Sequence, residues 1–141
     1  MRRGMGGLLV ALCAIGIGAC SDSTAPKESV TGTYSLTSVA NLPLPATVYQ
    51  DATETDELTS GSITLSSGNR WNGVLRLRIT TSTGVDSLDA NDGGTFTVNG
   101  SALTLNLESD GSQMNGSVGG GTLTLLETDG MGQTVALVFK K

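Results

Sequence analysis

Apolar and polar residues alternate along most of the chain after Thr31. In "WNGVLRLRIT", residues 71–80, Trp71, Leu75 and Leu77 fall on one face, with arginines on the other. This period of two is typical of a strand with one buried face. The same alternation recurs at residues 34–36, 63–65, 96–98, 103–107, 123–125 and 135–139. No stretch has the spacing of three and four that predicts a long amphipathic helix.

Short turn signals separate these segments and predict how neighbouring strands pair. A two-residue turn at residues 99–100, the dipeptide Asn-Gly, would place Phe96 opposite Leu103. Similar turns at residues 110–111 and 119–120 keep the apolar residues on one face through consecutive strands. The pattern therefore predicts antiparallel pairing between strands that are neighbours in the sequence.

The last predicted connection, around residues 128–132, has to contain an odd number of residues. An even loop would put Leu125 out of phase with Val135. The fold class predicted is all-β, an antiparallel up-and-down meander of eight or nine strands. Closure into a small barrel would remove both exposed edges of such a meander, and a flattened β-sandwich is the alternative.

Acidic residues occur in two groups that could carry chemistry. Asp51, Glu54, Asp56 and Glu57 offer oxygen ligands, but they lack the Asp-x-Asp-x-Asp-Gly spacing of a recognisable calcium loop. A solvated loop is the better interpretation of this run, and no metal site is predicted.

The second group is Asp86, Asp89 and Asp92, in which a strand would turn Asp89 away from the other two. A turn centred on residues 83–84 would place Asp89 opposite Arg78 on the outer face. We therefore predict a surface ion pair between Arg78 and Asp89.

The composition argues against catalysis. The chain has no histidine, so the commonest general base and the commonest metal ligand are missing. Nothing in the sequence brings two carboxylates together as an acid and base pair. We expect no enzyme activity and no cofactor.

The first residues have the layout of a secretory signal peptide. Arg2 and Arg3 precede an apolar segment over residues 8–19. That segment is shorter than the roughly 20 residues a helix needs to cross a bilayer. We predict that residues 1–19 are removed on export, and that Cys13 leaves with them.

The segment Ile17-Gly18-Ala19-Cys20 resembles the lipobox of bacterial lipoproteins. The resemblance implies cleavage before Cys20, a diacylglyceryl thioether on its sulfur and an acyl chain such as palmitate on its amino group. The alternative is an ordinary cleaved signal with a stray cysteine. Ser21 resembles the outer-membrane sorting pattern of enteric bacteria. The expected location is therefore the cell envelope, lipid-anchored at the outer membrane, on a face that the sequence leaves open.

Three parts of the chain follow from this layout. Residues 1–19 are the signal peptide, residues 20–30 the lipidated cysteine with a polar, flexible tether, and residues 31–141 the β-barrel domain. Removal of the signal peptide takes away two of the eight basic residues and none of the thirteen acidic ones, which leaves a net charge of −7. A domain this acidic is not expected to bind nucleic acid.

Residues 31–141 also resemble the lipocalin-like domains of bacterial lipoproteins. The similarity lies in "GTYSLTSVANLPLPATV", "SGSITL", "GGTFTVNGSALTL" and the closing "ALVFKK". The lipocalin Gly-x-Trp becomes Gly32-Thr33-Tyr34 here, and Lys140 or Lys141 stands where an arginine is expected. The resemblance implies a barrel that is either filled by its own side chains or holds one small ligand.

Two functions remain open at this point. A tethered barrel could bind a small apolar or amphipathic ligand, in which case Tyr34, Trp71 and Phe96 are the candidates for lining its pocket. A solid barrel could instead act through its outer surface as a structural, interaction or inhibitor module, with a protein partner that the sequence does not identify.

Overall fold

The computed structural model describes residues 29–141. The predicted signal peptide over residues 1–19, Cys20 and most of the predicted tether lie outside the described residues. The described chain contains ten strands: β1 Gly32–Val39, β2 Leu42–Pro43, β3 Ala46–Gln50, β4 Glu54–Ser66, β5 Arg70–Thr81, β6 Gly84–Asn99, β7 Ala102–Leu107, β8 Gln113–Gly119, β9 Thr122–Thr128 and β10 Thr134–Lys140.

Eight of these strands form a closed antiparallel barrel. Strands β4 to β10 pair in sequence order, and β1 pairs with β10 on one side and with β4 on the other. The β1–β4 pairing closes the sheet, so the predicted up-and-down barrel is confirmed and the β-sandwich is not formed. The short strands β2 and β3 are additions that pair with β1 and β4.

The pairing register differs from the predicted one by two residues at each of the predicted two-residue turns. Phe96 faces Leu105, not Leu103. The turn after β8 shows the reason. Its central residues are Gly120 and Gly121, with φ of 59° and 74°, because a tight hairpin turn of this kind needs positive φ at both positions. A shift of two residues preserves the face of every side chain, so the predicted inner and outer faces hold.

The odd loop predicted near the end of the chain is confirmed. Five residues, 129–133, separate the paired residues Thr128 and Thr134. Leu125 consequently faces Leu137, and both side chains are buried.

The two ends of the barrel are different. The chain enters β1 and leaves β10 at one end, together with the turns at residues 67–69, 100–101 and 120–121; we call this the closed end. Large side chains fill the interior near it: Tyr34, Leu65, Trp71, Phe96, Leu103, Leu123 and Phe139 are all buried. The remaining connections lie at the opposite, open end. The half of the interior next to them is called the open half.

The strands around the open end have unequal lengths. Strand β6 has 16 residues but β7 only 6, and the last β7 residue, Leu107, pairs with Gly94. Residues 84–92 of β6 therefore extend beyond β7 and are paired with β5 alone. The wall is low at residues 107–113, which we call the notch.

The outer wall holds the arginines in ion pairs. Arg76, not Arg78, pairs with Asp89, with Nε to Oδ1 at 2.6 Å and Nη2 to Oδ2 at 2.7 Å. The predicted Arg78–Asp89 pair is wrong because the hairpin turn lies at residues 82–83, which moves the register by two residues. Arg78 pairs with Glu57 instead.

Candidate functional site

The open half of the barrel contains two adjoining cavities, of about 190 Å³ and about 200 Å³. They share Leu75, Glu127 and Leu137. The remaining lining is mostly apolar: Ile63, Trp71, Val74, Leu107, Met114, Leu125 and Phe139 border the first cavity, and Val39, Val48, Leu58, Leu77 and Val135 the second. The first cavity also touches residues 90–92 of β6 and therefore reaches the notch.

The three predicted pocket residues divide between the two halves. Trp71 borders the first cavity and forms part of its floor with Phe139. Tyr34 and Phe96 are packed in the closed half, and neither borders these cavities. The Tyr34 hydroxyl donates to the Val30 carbonyl at 2.7 Å. The structure thus brings only Trp71 to the cavity.

Polar contacts in the closed half hold Trp71 and the two ends of the described chain in place. The Trp71 indole Nε1 donates to the Asn106 carbonyl at 3.1 Å. The Lys141 ammonium donates to the Thr31 carbonyl at 2.6 Å and lies 5.6 Å from the centre of the Tyr34 ring. The cation predicted at the end of the last strand is therefore Lys141, and it fastens the chain entry to the last strand.

Glycines on the inner face leave room in the open half. Gly73 lines the first cavity, where most other inner positions of β5 carry a large side chain. A Cβ at Gly61 would lie 2.6 Å from Cδ2 of Leu75, which also borders both cavities. These two positions contribute no side chain, and the notch removes part of the wall that would otherwise cover the space.

Glu127 is the charged residue that lies between the two cavities. It follows Leu123 and Leu125 on the inner face of β9, and both leucines are buried. Burial raises the pKa of the Glu127 carboxyl above its ordinary value, while a hydrogen bond from the Thr128 backbone lowers it by less. Glu127 is not among the site residues predicted from the sequence, although its place in the period of two, two residues after Leu125, was the available signal.

Two other carboxylates border the cavities, but both accept hydrogen bonds from nearby backbone or hydroxyl groups. Asp92 accepts from the Gly93 N–H at 2.7 Å and from the Ser109 hydroxyl at 2.7 Å. Asp129 accepts from the backbone N–H groups of Met131 and Gln133. These contacts shape the notch and the β9–β10 loop.

The acidic run after β3 divides into loop and strand residues. Asp51 accepts from the Thr53 and Glu54 N–H groups and from the Tyr49 hydroxyl, and these hydrogen bonds lower the pKa of Asp51 to about 2. Asp56 lies within β4, on the same face as Leu58, and its Oδ1 is buried without a hydrogen-bond partner among residues 29–141. In that part of the chain no three potential metal ligands come together.

Basic side chains lie away from both cavities. Within residues 29–141 they are Arg70, Arg76, Arg78, Lys140 and Lys141. The three arginines form ion pairs with Glu108, Asp89 and Glu57. The lysines belong to the end of β10 at the closed end. The electrostatic character of the open half is therefore negative.

No family model matches the chain, and no curated protein matches it. Among solved structures, the barrel has a likeness to a fatty-acid-binding protein from Manduca sexta, with 13% identity over 79% of this chain and 98% of that chain, at a TM-score of 0.35. It has a similar likeness to a mutant of the fluorescent protein UnaG, with 14% identity over 79% and 94% of the two chains, at a TM-score of 0.32. At such TM-scores neither protein is informative about a ligand of this chain.

Proposed function

We propose that this protein is an envelope lipoprotein whose barrel binds one small apolar or amphipathic molecule in its open half. The observation that carries the proposal is the pair of apolar cavities that adjoin at Leu75 and Leu137. An apolar cavity of about 150 Å³ is already enough to bind a molecule the size of benzene. A largely preformed apolar cleft with few polar groups is the usual form of a small-molecule site.

The alternative, a solid module that acts through its surface, has weaker support. Its filled core fits the closed half of the barrel but not the open half. The exposed apolar residues Val85 and Leu88 lie on opposite faces of β6, so they do not form one patch. Ligand binding is therefore the function that we favour.

A titration with 1-octanol tests binding in the open half. Trp71 is the single tryptophan of the chain and borders the cavity, so its fluorescence reports an occupant. We expect a saturable change that Leu75→Phe weakens at least fivefold, because the larger ring occupies shared space between the cavities.

The matched control is Leu126→Phe, which adds the same ring to an exposed position on the outer face of β9. This variant should bind 1-octanol as the unaltered protein does. Absence of a saturable response, or equal binding by the Leu75→Phe variant, would contradict ligand binding in the open half.

The proposed anchor is Cys20, in a segment outside the described residues. Strand β1 begins at the closed end, so the described residue nearest to Cys20 in the sequence, Ser29, lies at the end of the barrel opposite the open half. We expect acyl chains on Cys20 of the mature protein, readable from the mass of its N-terminal peptide. Cys20→Ser should abolish the added mass, and Cys13→Ser should retain it. A mature chain with an unmodified Cys20 would refute the anchor.

A further inference from the structure

We propose that the ligand of the open half is a cationic amphiphile, an apolar chain that ends in an ammonium group, with Glu127 as its counter-ion. This inference rests on the ligand-binding function proposed above and adds the charge of the ligand. It comes from three features of the cavity: the place of Glu127, the absence of a compensating cation among the described residues and the surrounding carboxylates.

Glu127 is the group best placed to meet the polar end of a ligand. Its side chain borders both cavities. Its cross-strand partner on the neighbouring strand β10 is Val135, a half-buried apolar residue. An apolar chain in the first cavity would lie between Trp71 and Leu137, with its end beside Glu127. The carboxylate would then be the main polar contact of the ligand.

No cation of the described chain neutralises Glu127. The arginines are in ion pairs on the outer wall or beside the notch, and the lysines are at the closed end. Residues 29–141 therefore place no basic side chain on either cavity. A partly buried carboxylate without a counter-ion is costly, so a ligand that supplies the cation gains from the pairing.

The other carboxylates around the open half act in the same direction. Asp92 borders the first cavity and Asp129 the second, and both accept hydrogen bonds from backbone N–H groups. On the same inner face, Asp56 has a buried oxygen without a partner among the described residues. An anionic ligand such as a fatty acid would lie beside the carboxyl groups of Glu127, Asp92 and Asp129, with no arginine or lysine of residues 29–141 on the cavities to hold it.

The test compares three probes of equal chain length at pH 7: octylammonium, 1-octanol and octanoate. Binding is followed by Trp71 fluorescence and by calorimetry. We expect octylammonium to bind at least tenfold more tightly than 1-octanol, and octanoate to bind more weakly than both. Glu127→Gln should remove the advantage of octylammonium over 1-octanol.

Two further variants separate a local charge effect from other causes. Asp110→Asn removes the same net charge from an exposed position in the notch that borders neither cavity, and it keeps the oxygen that accepts from Ser112, so the preference for octylammonium should persist. Glu127→Lys should reverse the preference and favour octanoate. Circular dichroism spectra identical to those of the unaltered protein establish that each variant is folded.

The outcomes distinguish the two proposals. If none of the three probes binds, the proposed ligand-binding function fails. If 1-octanol binds but octylammonium has no advantage, or Glu127→Gln leaves that advantage intact, ligand binding stands and the inference of a cationic ligand is overturned.

Discussion

At the residue scale, the barrel depends on backbone approaches that only glycine permits. A Cβ at Gly94 would lie 1.9 Å from the carbonyl oxygen of Asn106, the same oxygen that accepts from the Trp71 indole. Two strands and the tryptophan therefore meet at a position without room for a methyl group. Trp71, whose indole donates at this contact, also borders the first cavity.

We expect Gly94→Ala to destabilise the protein by about 1–3 kcal/mol, the usual cost of overpacking, because backbone has to move. Gly119→Ala is the matched control, since a Cβ at Gly119 would have no atom within 4 Å. Urea unfolding measures both free energies. Equal stability of the two variants would contradict the close approach at Gly94.

Glu127 affects stability in a direction that depends on pH. Burial raises its pKa in the folded state, so the folded protein binds the proton more readily than the unfolded chain does. This carboxyl therefore contributes more stability as pH falls from the folded pKa through the unfolded value, and it disfavours folding above both.

We expect Glu127→Gln to be more stable than the unaltered protein at pH 7, with a difference that disappears by about pH 3, below the unfolded pKa of about 4.3. Asp110→Asn should not show this gain at pH 7, because hydrogen bonds from Ser112 lower the pKa of Asp110 in the folded protein. Urea unfolding across pH 3–7 gives the comparison. A Glu127→Gln variant less stable than the unaltered protein at pH 7 would argue against a desolvated carboxylate.

At the scale of strands, the sequence pattern was sufficient for faces but not for register. Alternation in residues 71–80 and 123–125 predicted which side chains point inward, and the structure buries Trp71, Leu123 and Leu125. Register depends on which two residues form each turn, and after β8 the succession Gly119, Gly120 and Gly121 allows more than one choice. Each error was two residues, which changes the partners and leaves the faces unchanged.

The division into a solid and an open half predicts different costs for equal truncations. Leu123 is 0% exposed in the closed half, whereas Leu75 is half-buried and borders both cavities. We expect Leu123→Ala to cost about 3–5 kcal/mol and Leu75→Ala no more than about 2 kcal/mol, because Leu75 already lacks partners on one side. Urea unfolding measures the free energy of unfolding of both variants. Equal losses of stability would mean that the interior is packed uniformly.

At the scale of the whole molecule, the closed barrel was predictable and its site was not. A meander of this length has two edges, and closure through β1 and β4 removes them. The cavities depend on the length of β6 relative to β7 and on glycines at inner positions, and these features determine interior volume only when all strands are assembled. The aromatic residues suggested a pocket around Tyr34, Trp71 and Phe96, but large side chains fill space as readily as they line it.

The arrangement of the whole barrel also explains why the sequence pattern did not indicate Glu127 as a site residue. Its place on the inner face follows from the pairing of β9 with β10, yet a carboxylate at the end of a strand is ordinarily solvated. The space that Glu127 borders is lined by residues of the long strands β4, β5 and β6 as well as of β9 and β10. The alternation along β9 places Glu127 on the inner face, whereas the apolar surroundings of Glu127 come from several strands.

The most direct test of a barrel that binds its ligand in the open half is methyl nuclear magnetic resonance during an octylammonium titration. Saturable shifts are expected for Leu75, Leu107 and Leu137, which border the cavities. Leu103 and Leu123, buried in the closed half, should stay unchanged. Shifts confined to exposed methyl groups such as those of Leu126, or no shifts at all, would contradict the account.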